Sequence, residues 1–445
     1  MSYRGELQKM FDLQKFGMKF GLEGMQGILA RLGDPQRNMK FIHLAGTNGK
    51  GSVGVMLASV LAGTGYKVGL YTSPHLITFR ERIKVGDRMI SEDEVLASAE
   101  RIWAATEPDS PPTFFEFVTA MAFLHFQARQ TDLAIIETGL GGRLDSTNVI
   151  DPILSVITNI SLEHTEHLGD TVEKIALEKA GIIKPGRPVI IGQEPGPALD
   201  VILHQAVENK SPALVLGRDF QVRANGFDQF SRPSVTFDME QYQLASVPLG
   251  LAGPHQTGNA ALVLAALRIL AEHGFTADEP QIRRGLAEAS WPGRAEVFQA
   301  DSWPPVGPRG RAPLMLDGAH NPAGAVALAA MLEKLAPKRL HLVAGVMADK
   351  DIAGVFGPLI KMVDRLYLTR PEFSRAATPG LLWDKLAAAF GQPSVPVSLH
   401  LTLPNALAAA ALEAEAGDLV LLSGSLFTVG EGRAYLHNIA EVESN

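Results

Sequence analysis

Cysteine is absent from all 445 residues of this sequence. Disulfide bonds, a thiolate nucleophile and cysteine-ligated zinc are therefore excluded. Long apolar runs are absent as well, since no stretch approaches the roughly 18 consecutive apolar residues of a membrane-spanning helix. The polar N-terminal segment, MSYRGELQKMFDLQKF, lacks the apolar core of a signal peptide. We therefore expect a cytoplasmic protein without a membrane segment.

An excess of positive charge is also lacking, because the formal net charge is −8. A general nucleic-acid-binding protein needs a basic surface to meet phosphates, so we expect no nucleic-acid partner. Apolar residues make up 46% and charged residues 20% of the chain, as in ordinary globular proteins. The length exceeds that at which single cores stop growing, and this predicts two domains.

What is present begins with a glycine-rich turn in FIHLAGTNGKGS, residues 41–52. A short apolar strand precedes the turn, and residues 53–61 follow it with apolar positions at helical spacing. Backbone N–H groups of such a turn, the positive helix N-terminus and the ammonium of Lys50 form a cradle for phosphate. In the common P-loop, Ser or Thr directly follows the lysine, whereas here Gly51 intervenes before Ser52. The segment predicts nucleotide-phosphate binding, and the departure indicates either a chance match or a distinct subclass.

Alternating strand and helix patterns run through most of the chain and predict an α/β fold. The first strand candidates are continuous apolar runs, which suit parallel strands buried on both faces. They are residues 41–45, 67–72, 132–138, 153–159 and 187–192. Helix patterns separate several of them, at 92–104, 115–129 and 171–180. The segment 212–250 has short alternating runs and is interpreted as an antiparallel excursion at the edge of the first domain.

A break in periodicity within SWPGRAEVF, residues 290–298, separates this series from a second one. The strand candidates of the second series are residues 314–318, 339–346, 365–370 and 418–425. We therefore predict an N-terminal domain over 1–293, with a P-loop and a doubly wound, mostly parallel sheet. A smaller, Rossmann-like C-terminal α/β domain is predicted over 294–445.

Polar side chains follow the predicted strands at the edge where open parallel sheets bind their ligands. Three first-domain strands end in, or lead to, Ser73, Glu137 and His164. A hydroxyl, a carboxylate and an imidazole beside a nucleotide suit a divalent metal, although Mg²⁺ prefers oxygen and His164 is then the atypical ligand. Ser73 alone could instead start a turn, and spacing does not distinguish His164 from His167. A carboxylate ending an apolar strand needs a cation or donors.

Three further residues each have two interpretations. Lys179 lies in the last turn of a predicted helix, where a lysine either complements the helix dipole in solvent or is held near the metal, as a cation or chemically modified. Asp317 could hold a ribose hydroxyl or cap the helix that follows it. Arg294 could reach a nucleotide bound between the domains or be a surface charge.

Longer runs surround these residues. They are FGLEGMQGILARLGDPQ (20–36), HLAGTNGKGSV (43–53), TSPHL (72–76), FRERI (79–83), TFFEFVTAMAF (113–123), ETGLGGRLDSTN (137–148), ITNISLEHTEHLG (157–169), ALEKAGIIKPG (176–186), GPHQTGNAA (253–261), WPGRAE (291–296), LDGAHNP (316–322) and SGSLF (423–427). In this order they resemble the folylpolyglutamate synthase/dihydrofolate synthase family, within the ATP-dependent Mur ligase superfamily. The resemblance covers the chain nearly end to end, and Gly51 is a feature of that family's phosphate loop.

The resemblance implies an amide ligase that uses ATP and Mg²⁺. ATP converts a carboxylate of the acceptor to an acyl phosphate, and the amino group of L-glutamate then displaces phosphate. The acceptor would be dihydropteroate, a (tetrahydro)folate polyglutamate, or both, and the enzyme would be a cytoplasmic monomer. Activation is required because a free carboxylate is a poor electrophile, and cations must screen its repulsion from phosphate.

The resemblance also implies roles for particular residues. Catalytic roles fall to Lys50, Lys179, His164 and His320, and Lys179 matches a position that is often a carbamylated lysine. The ATP site comprises Thr47, Asn48, Gly49, Lys50, Gly51, Ser52, Asn259, Arg294 and Asp317. The folate site comprises Phe115, Glu116, Arg143, Leu144 and Asp145, and the Mg²⁺ ligands are Ser73, Glu137 and His164. L-Glutamate is expected on the C-terminal domain, without named residues.

Alternative functions fit parts of the same pattern. One is polyglutamylation only, a second is a Mur-type ligase for a nucleotide-linked cell-wall precursor, and a third is a nucleotide-operated switch that needs no small acceptor. The FEF run, ETGLGGRLD and Gly51 favour folate over a cell-wall precursor. Gln256 stands where relatives often carry Asn, and this departure is expected to lie away from the chemistry.

Overall fold

The computed structural model describes residues 2–17, 19, 21–107, 109–305, 310–391, 395–440 and 442–443. Phe20, with which the first quoted run begins, lies outside the described residues. Within these ranges, no helix is long and apolar enough to cross a membrane.

An eight-stranded sheet, with strand order β4-β3-β2-β5-β1-β6-β7-β8, forms the N-terminal half. Its strands are β1 (Phe41–Ala45), β2 (Val68–Tyr71), β3 (Ile83–Val85), β4 (Arg88–Met89), β5 (Leu133–Glu137), β6 (Leu154–Ile157), β7 (Val189–Ile191) and β8 (Ala213–Val215). The six neighbouring strands β2, β5, β1, β6, β7 and β8 pair in parallel. Strands β3 and β4 add an antiparallel edge beside β2. The five apolar runs predicted as parallel strands all lie here, which confirms the doubly wound sheet.

Helices cover both faces of this sheet. They are α1 (Tyr3–Phe11), α2 (Glu23–Arg31), α3 (Lys50–Ala62), α4 (Glu92–Ala104), α5 (Phe114–Arg129), α6 (Thr165–Leu168), α7 (Val172–Ala180), α8 (Pro197–Glu208), α9 (Gln256–Glu272) and α10 (Glu279–Glu288). Helix α3 is apolar on all sides because it is buried between the sheet and helices α9 and α10. Gly285 of α10 permits this packing, since a Cβ there would lie 2.5 Å from Cα of Val60.

Strand β1 lies between β5 and β6. Strands β2 to β5 lie on one side of β1 within the sheet, and strands β6 to β8 lie on its other side. Such a reversal of strand order leaves a crevice outside the carboxyl ends of the strands, where ligands bind. The glycine-rich turn after β1, Glu137 at the end of β5 and the segment after β6 therefore meet at one point. The fold thus places the predicted phosphate loop at the switch point of the sheet.

A separate three-stranded antiparallel sheet follows, with order β11-β10-β9. Its strands are β9 (Gln221–Phe227), β10 (Pro233–Met239) and β11 (Tyr242–Pro248). The predicted excursion over 212–250 therefore starts too early, because β8 pairs in parallel with β7 and completes the large sheet. The short run PALVL at 212–216 is apolar without alternation, which suits that parallel position.

The C-terminal half has a six-stranded sheet with order β12-β13-β17-β14-β15-β16. Its strands are β12 (Glu296–Phe298), β13 (Leu314–Asp317), β14 (Leu340–Ala344), β15 (Arg365–Leu368), β16 (Val397–Leu399) and β17 (Leu419–Ser423), and its helices are α11 (Pro322–Leu335), α12 (Ile352–Ile360), α13 (Pro379–Phe390), α14 (Leu403–Glu413) and α15 (Leu426–Leu436). All pairs are parallel except that between β12 and β13. The four predicted strands are confirmed, whereas the edge strands β12 and β16 are too short to give a pattern.

Candidate functional site

The phosphate loop between β1 and α3 is fixed by the segment that follows β6. The backbone N–H of Thr47 donates to the carbonyl of Asn159 at 2.8 Å, and that of Asn48 donates to the Asn159 side chain at 2.9 Å. Thr158 Oγ1 donates to the Asn48 carbonyl at 2.6 Å. Gly46 has φ +143°, and a Cβ there would lie 1.9 Å from Thr158 Oγ1, so only glycine fits. The loop is therefore preformed as an anion cradle.

Lys50 begins α3, and its ammonium is folded over the same loop. Its Nζ donates to the carbonyls of Gly46 at 2.7 Å and Thr47 at 3.3 Å. The helix N-terminus and the ammonium therefore point to one place, where a phosphate would complete the charge balance. The predicted residues Thr47 to Ser52 all line the cleft that opens above the loop.

Gly51, the residue that separates this loop from the common P-loop, packs against the linker between the two sheets. A Cβ at Gly51 would lie 2.9 Å from Nε1 and 3.0 Å from two carbons of the Trp291 indole. The extra glycine therefore leaves room for the indole against the first turn of α3. Trp291 lines the cleft as well, so the linker touches the phosphate loop directly.

This contact makes Trp291 a reporter of nucleotide binding. We expect ADP or ATP to change the intrinsic fluorescence of the wild type, because the nucleotide would alter the polarity around the indole. The change should disappear in Trp291→Phe and persist in Trp383→Phe, whose indole lies in the C-terminal core. A nucleotide-induced change of equal size in Trp291→Phe would contradict the placement of the nucleotide beside this linker.

Glu137 is a buried carboxylate at the end of β5. Burial raises the pKa of Glu137 to about 7, against the opposing effect of Lys50 and of a hydrogen bond from the Ser73 backbone. Its Oε2 is fully buried without a hydrogen-bond partner. An orphaned carboxylate oxygen of this kind needs a cation, and Ser73 and His164 line the same cleft. The three residues predicted as metal ligands therefore fit a divalent cation.

The spacing of histidines after β6 left two candidates, and the cleft lining includes His164 and not His167. His164 has φ +45°, a left-handed conformation uncommon outside glycine, and it precedes α6. Burial lowers its pKa, which favours the neutral imidazole that a metal requires. Among the described residues no cluster of three or more His, Cys, Asp or Glu side chains has metal-binding spacing. The predicted set of Ser73, Glu137 and His164 is not such a cluster, because one of its three members is a serine hydroxyl.

Lys179 near the end of α7 is buried, which rules out the interpretation of a solvated lysine. Its Nζ donates to Glu163 Oε1 at 2.7 Å and to the Gly46 carbonyl at 2.9 Å. Only 2% of the side chain is exposed. Burial, followed by the nearby Lys50, lowers the pKa of Lys179 to about 8. Lys179 therefore contacts the phosphate loop through a backbone carbonyl, and its lowered pKa leaves more neutral amine at neutral pH than an ordinary lysine has.

The opposite wall of the cleft comes from the turn after β13. Asp317 accepts hydrogen bonds from the backbone N–H groups of Ala295 and Ala319, both at 2.9 Å. The N-cap of α11 is Asn321, and this rules out the helix cap, one of the two interpretations left open for Asp317. Burial raises the pKa of Asp317 in spite of the nearby Arg294. Arg294 is half-buried and lines the cleft, so it is not a solvated surface charge.

His320 and Asn321 of this turn face the N-terminal half. The Nδ1 of His320 lies 2.9 Å from the Gly318 carbonyl, which selects the tautomer protonated on Nδ1 and leaves Nε2 as an acceptor. Burial lowers the pKa of His320 to about 4. The Asn321 side chain donates to Asn48 Oδ1 at 3.1 Å. The phosphate loop and the C-terminal half are therefore joined across the cleft by a pair of amides.

Asn259, which the resemblance assigns to the ATP site, reaches the phosphate loop from α9. Its side chain would lie 2.7 Å from a Cβ at Gly49, and it donates to Gln256 Oε1 at 2.9 Å. Gln256 in turn lies 3.3 Å from Ser52 Oγ. Gln256 does not line the cleft, which agrees with the expectation that it lies away from the chemistry, but its amide contacts two residues of the predicted ATP site.

The residues predicted to bind folate lie beside the cleft, on α5 and the loop after β5, and are not part of its lining. Phe115 packs against Gly139, where a Cβ would lie 2.5 Å from its ring. Glu116 is buried and accepts from the Thr113 N–H at 2.7 Å. Arg143 pairs with Glu178 at 2.7 Å, and Leu144 is half-buried.

Asp145 is buried and organises this loop. Its Oδ2 accepts from the N–H groups of Gly139 and Leu140, both at 2.9 Å, and its Oδ1 accepts from the Thr147 N–H at 3.0 Å. The Thr147 hydroxyl also donates to Oδ1 and lies 2.9 Å from Nε2 of the buried His43. The loop is therefore ordered from the core of the sheet outward.

The cleft as a whole has a volume of about 480 Å³, as expected for a small-molecule site. It gathers every residue predicted for the ATP site and the metal, together with Lys179 and His320. Sequence reasoning missed several lining residues, namely Thr158, Asn159, Glu163, His255 and Trp291. Thr158 and Asn159 directly follow β6, and this position could have identified them.

Two family models match the chain. They are the Mur ligase middle domain over residues 44–267 and the Mur ligase, glutamate ligase domain over residues 303–426. The dihydrofolate synthase/folylpolyglutamate synthase of Bacillus subtilis is 39% identical over 83% of this chain and 85% of its own length. A probable bifunctional folylpolyglutamate synthase/dihydropteroate synthase of Halobacterium salinarum is 36% identical over 97% of this chain. The chain spans about half the length of that relative, 51%.

Solved structures give the same result over the whole fold. Escherichia coli FolC in complex with DHPP and ADP has a TM-score of 0.87 and 34% identity, and 98% of each chain is covered. A bifunctional folylpolyglutamate synthase/dihydrofolate synthase of Yersinia pestis, complexed with AMPPNP and a Mn ion, has a TM-score of 0.85 and 32% identity, with 98% of each chain covered.

Proposed function

The chain belongs to the dihydrofolate synthase/folylpolyglutamate synthase family of Mur ligases, and on this premise we propose that it joins L-glutamate to dihydropteroate, to folate polyglutamates, or to both. The reaction consumes ATP and passes through an acyl phosphate of the acceptor. The observation that carries this proposal is the cleft itself, in which a preformed phosphate loop faces a buried, unpaired carboxylate oxygen of Glu137.

The nucleotide lies between the two halves of the protein. The phosphate loop, Thr47 to Ser52, holds the β- and γ-phosphates through Lys50 and the backbone N–H groups at the start of α3, since those of Thr47 and Asn48 donate to Asn159. Asn259, Arg294 and Asp317 contact the rest of the nucleotide, since they line the same cleft. The carboxylates of Asp317 and Glu137 lie close enough to Arg294 to oppose the lowering of its pKa by burial.

A divalent cation, Mg²⁺ in the cell, is held by Ser73, Glu137 and His164. When bound, it supplies positive charge that screens the acceptor carboxylate from the γ-phosphate. Lys179 is carbamylated in the active enzyme, which converts a buried cation to an anionic oxygen donor beside the phosphate loop. The lowered pKa of Lys179 supports this, because only a neutral amine reacts with carbon dioxide.

The acceptor lies against the N-terminal half, near Phe115, Glu116 and the loop from Arg143 to Asp145. L-Glutamate approaches from the C-terminal half, where the unprotonated Nε2 of His320 accepts a hydrogen bond from its amino group. We place the domain boundary between Gly293 and Arg294, which gives domains 1–293 and 294–445. The enzyme is a cytoplasmic monomer.

The test is a steady-state assay of phosphate release with ATP, L-glutamate and either dihydropteroate or tetrahydrofolate, side by side. Release that depends on both acceptors indicates a bifunctional enzyme, and release with tetrahydrofolate alone indicates polyglutamylation only. Release that depends on neither acceptor contradicts the proposal. A nucleotide-linked cell-wall precursor included as a third acceptor would detect the alternative ligase activity.

A further inference from the structure

A second, smaller cavity of about 180 Å³ adjoins the main cleft. The two share Pro74, Trp291, Arg294 and Leu426 in their walls. This side pocket lies at the seam between the β3–β4 hairpin, the linker and α15. A group bound in it would therefore sit next to Pro74, directly beyond the predicted metal ligand Ser73.

Cations outnumber carboxylates in the wall of the side pocket. Lys84, Arg294 and Arg433 line it, and Glu81 is its one carboxylate among the described residues. Glu81 is fully occupied by the chain itself, because it accepts from the backbone N–H groups of Leu76 at 2.7 Å and of two neighbouring residues at 3.0 and 3.1 Å. The negative charge of Glu81 is thus stabilised by backbone N–H groups of its own loop.

The three cations differ in their partners. Arg433 donates from Nε to both oxygens of Glu296 at 3.0 Å, and Arg294 is near Asp317 and Glu137. Lys84 has no carboxylate within ion-pairing distance in the described part of the chain. Its Nζ lies 6.0 Å from the centre of the Trp291 ring.

The ammonium of Lys84 is thus left without a carboxylate partner among the described residues. Lys84 is half-buried at the seam, and this burial lowers its pKa. A partly desolvated ammonium without a hydrogen-bonded partner is unfavourable, and a bound anion relieves this. The pocket is smaller than a site for a whole cofactor, so it suits a single charged group and a few carbon atoms.

We propose that this side pocket binds a carboxylate of the glutamyl portion of a substrate through Lys84. The inference rests on the proposed ligase function, which brings two such carboxylates to the cleft. One belongs to the incoming L-glutamate, and the other belongs to a glutamyl residue already attached to the acceptor. Arg433 brings the C-terminal half into the same pocket, so binding there requires both halves to be in place.

The experiment compares the wild type with Lys84→Met, Lys84→Arg and the matched control Arg88→Met, which removes an exposed charge from the same hairpin outside the pocket. KM is measured for L-glutamate with dihydropteroate, and for tetrahydrofolate carrying one or three glutamyl residues. We expect Lys84→Met to raise at least one of these KM values about tenfold or more, with kcat changed less than about threefold. Lys84→Arg should recover most of the loss.

The affected substrate identifies the source of the carboxylate. A higher KM for L-glutamate with dihydropteroate indicates the incoming amino acid, and a higher KM confined to the glutamylated acceptors indicates their tail. The inference is overturned if all KM values of Lys84→Met stay within about twofold of the wild type while the variant melts at the same temperature as the Arg88→Met control. That result leaves the ligase proposal intact. A wild type without glutamate-dependent turnover removes both.

Discussion

Replacement of Lys50 by methionine should lower kcat/KM for acceptor-dependent phosphate release by about 1000-fold. The ammonium is aimed at the phosphate position by the carbonyls of Gly46 and Thr47, so its charge is preorganised before ATP arrives. A phosphoryl group gains negative charge on transfer, and a fixed cation in a cleft stabilises that charge more than water does. Methionine keeps most of the side-chain volume and removes the charge.

The matched control for this variant is Lys67→Met, which removes an exposed lysine beyond the other end of α3. Phosphate release should be unaffected there, and thermal melting of both variants should stay near that of the wild type. Lys50→Met activity within tenfold of the wild type would contradict a role for Lys50 at the phosphate.

The phosphate site could be predicted from the sequence because its signals are local. A strand, three glycines, a lysine and a helix follow each other within residues 41–61, and backbone geometry then fixes where the anion lies. The grouping of Ser73, Glu137 and His164 could also be predicted from the sequence, because the carboxyl ends of parallel strands converge at one edge of the sheet. For this part of the protein, order along the chain determines proximity in space.

The contacts between the halves could not be predicted in the same way. The approach of Trp291 to Gly51 and the pairing of Asn48 with Asn321 join residues that are more than 200 positions apart. Nothing in the local sequence around Trp291 indicates that its indole packs against the phosphate loop, because the same pattern would suit a solvated linker. Likewise the sequence does not distinguish Glu163 from the other acid in LEHTEH, and only the fold brings Lys179 to it.

These contacts explain why the residues of the phosphate loop depart from the common P-loop. The loop serves as a phosphate cradle and also as a surface for the linker and for α11. Gly51 removes the side chain that would displace Trp291, and Asn48 presents an amide to the C-terminal half. The two halves thus meet at the phosphate loop itself, which suits the proposed reaction, in which the acceptor and L-glutamate approach from opposite walls.

Lys179→Met should lower turnover at least about 100-fold, because the proposed carbamate would be lost together with the lysine. In the wild type, activity should fall when carbon dioxide is removed from the buffer and return when ¹³C-bicarbonate is added. A carbamate signal should then be visible by ¹³C NMR in the wild type and in the control Lys174→Met, whose exposed lysine lies on the same helix. Lys179→Met should show no such signal.

The pH and metal dependence of that signal follow from the surroundings of Lys179. Burial lowers its pKa to about 8, so the neutral amine that reacts with carbon dioxide increases as pH rises through 8. At a fixed pressure of carbon dioxide the signal should therefore grow between pH 7 and pH 9. The carbamate would face Glu163, which lies 2.7 Å from Nζ, and like charges at that distance repel unless a cation compensates them. Mg²⁺ should therefore strengthen the signal, and a signal that is absent at pH 9 with Mg²⁺ would show that Lys179 is not carbamylated.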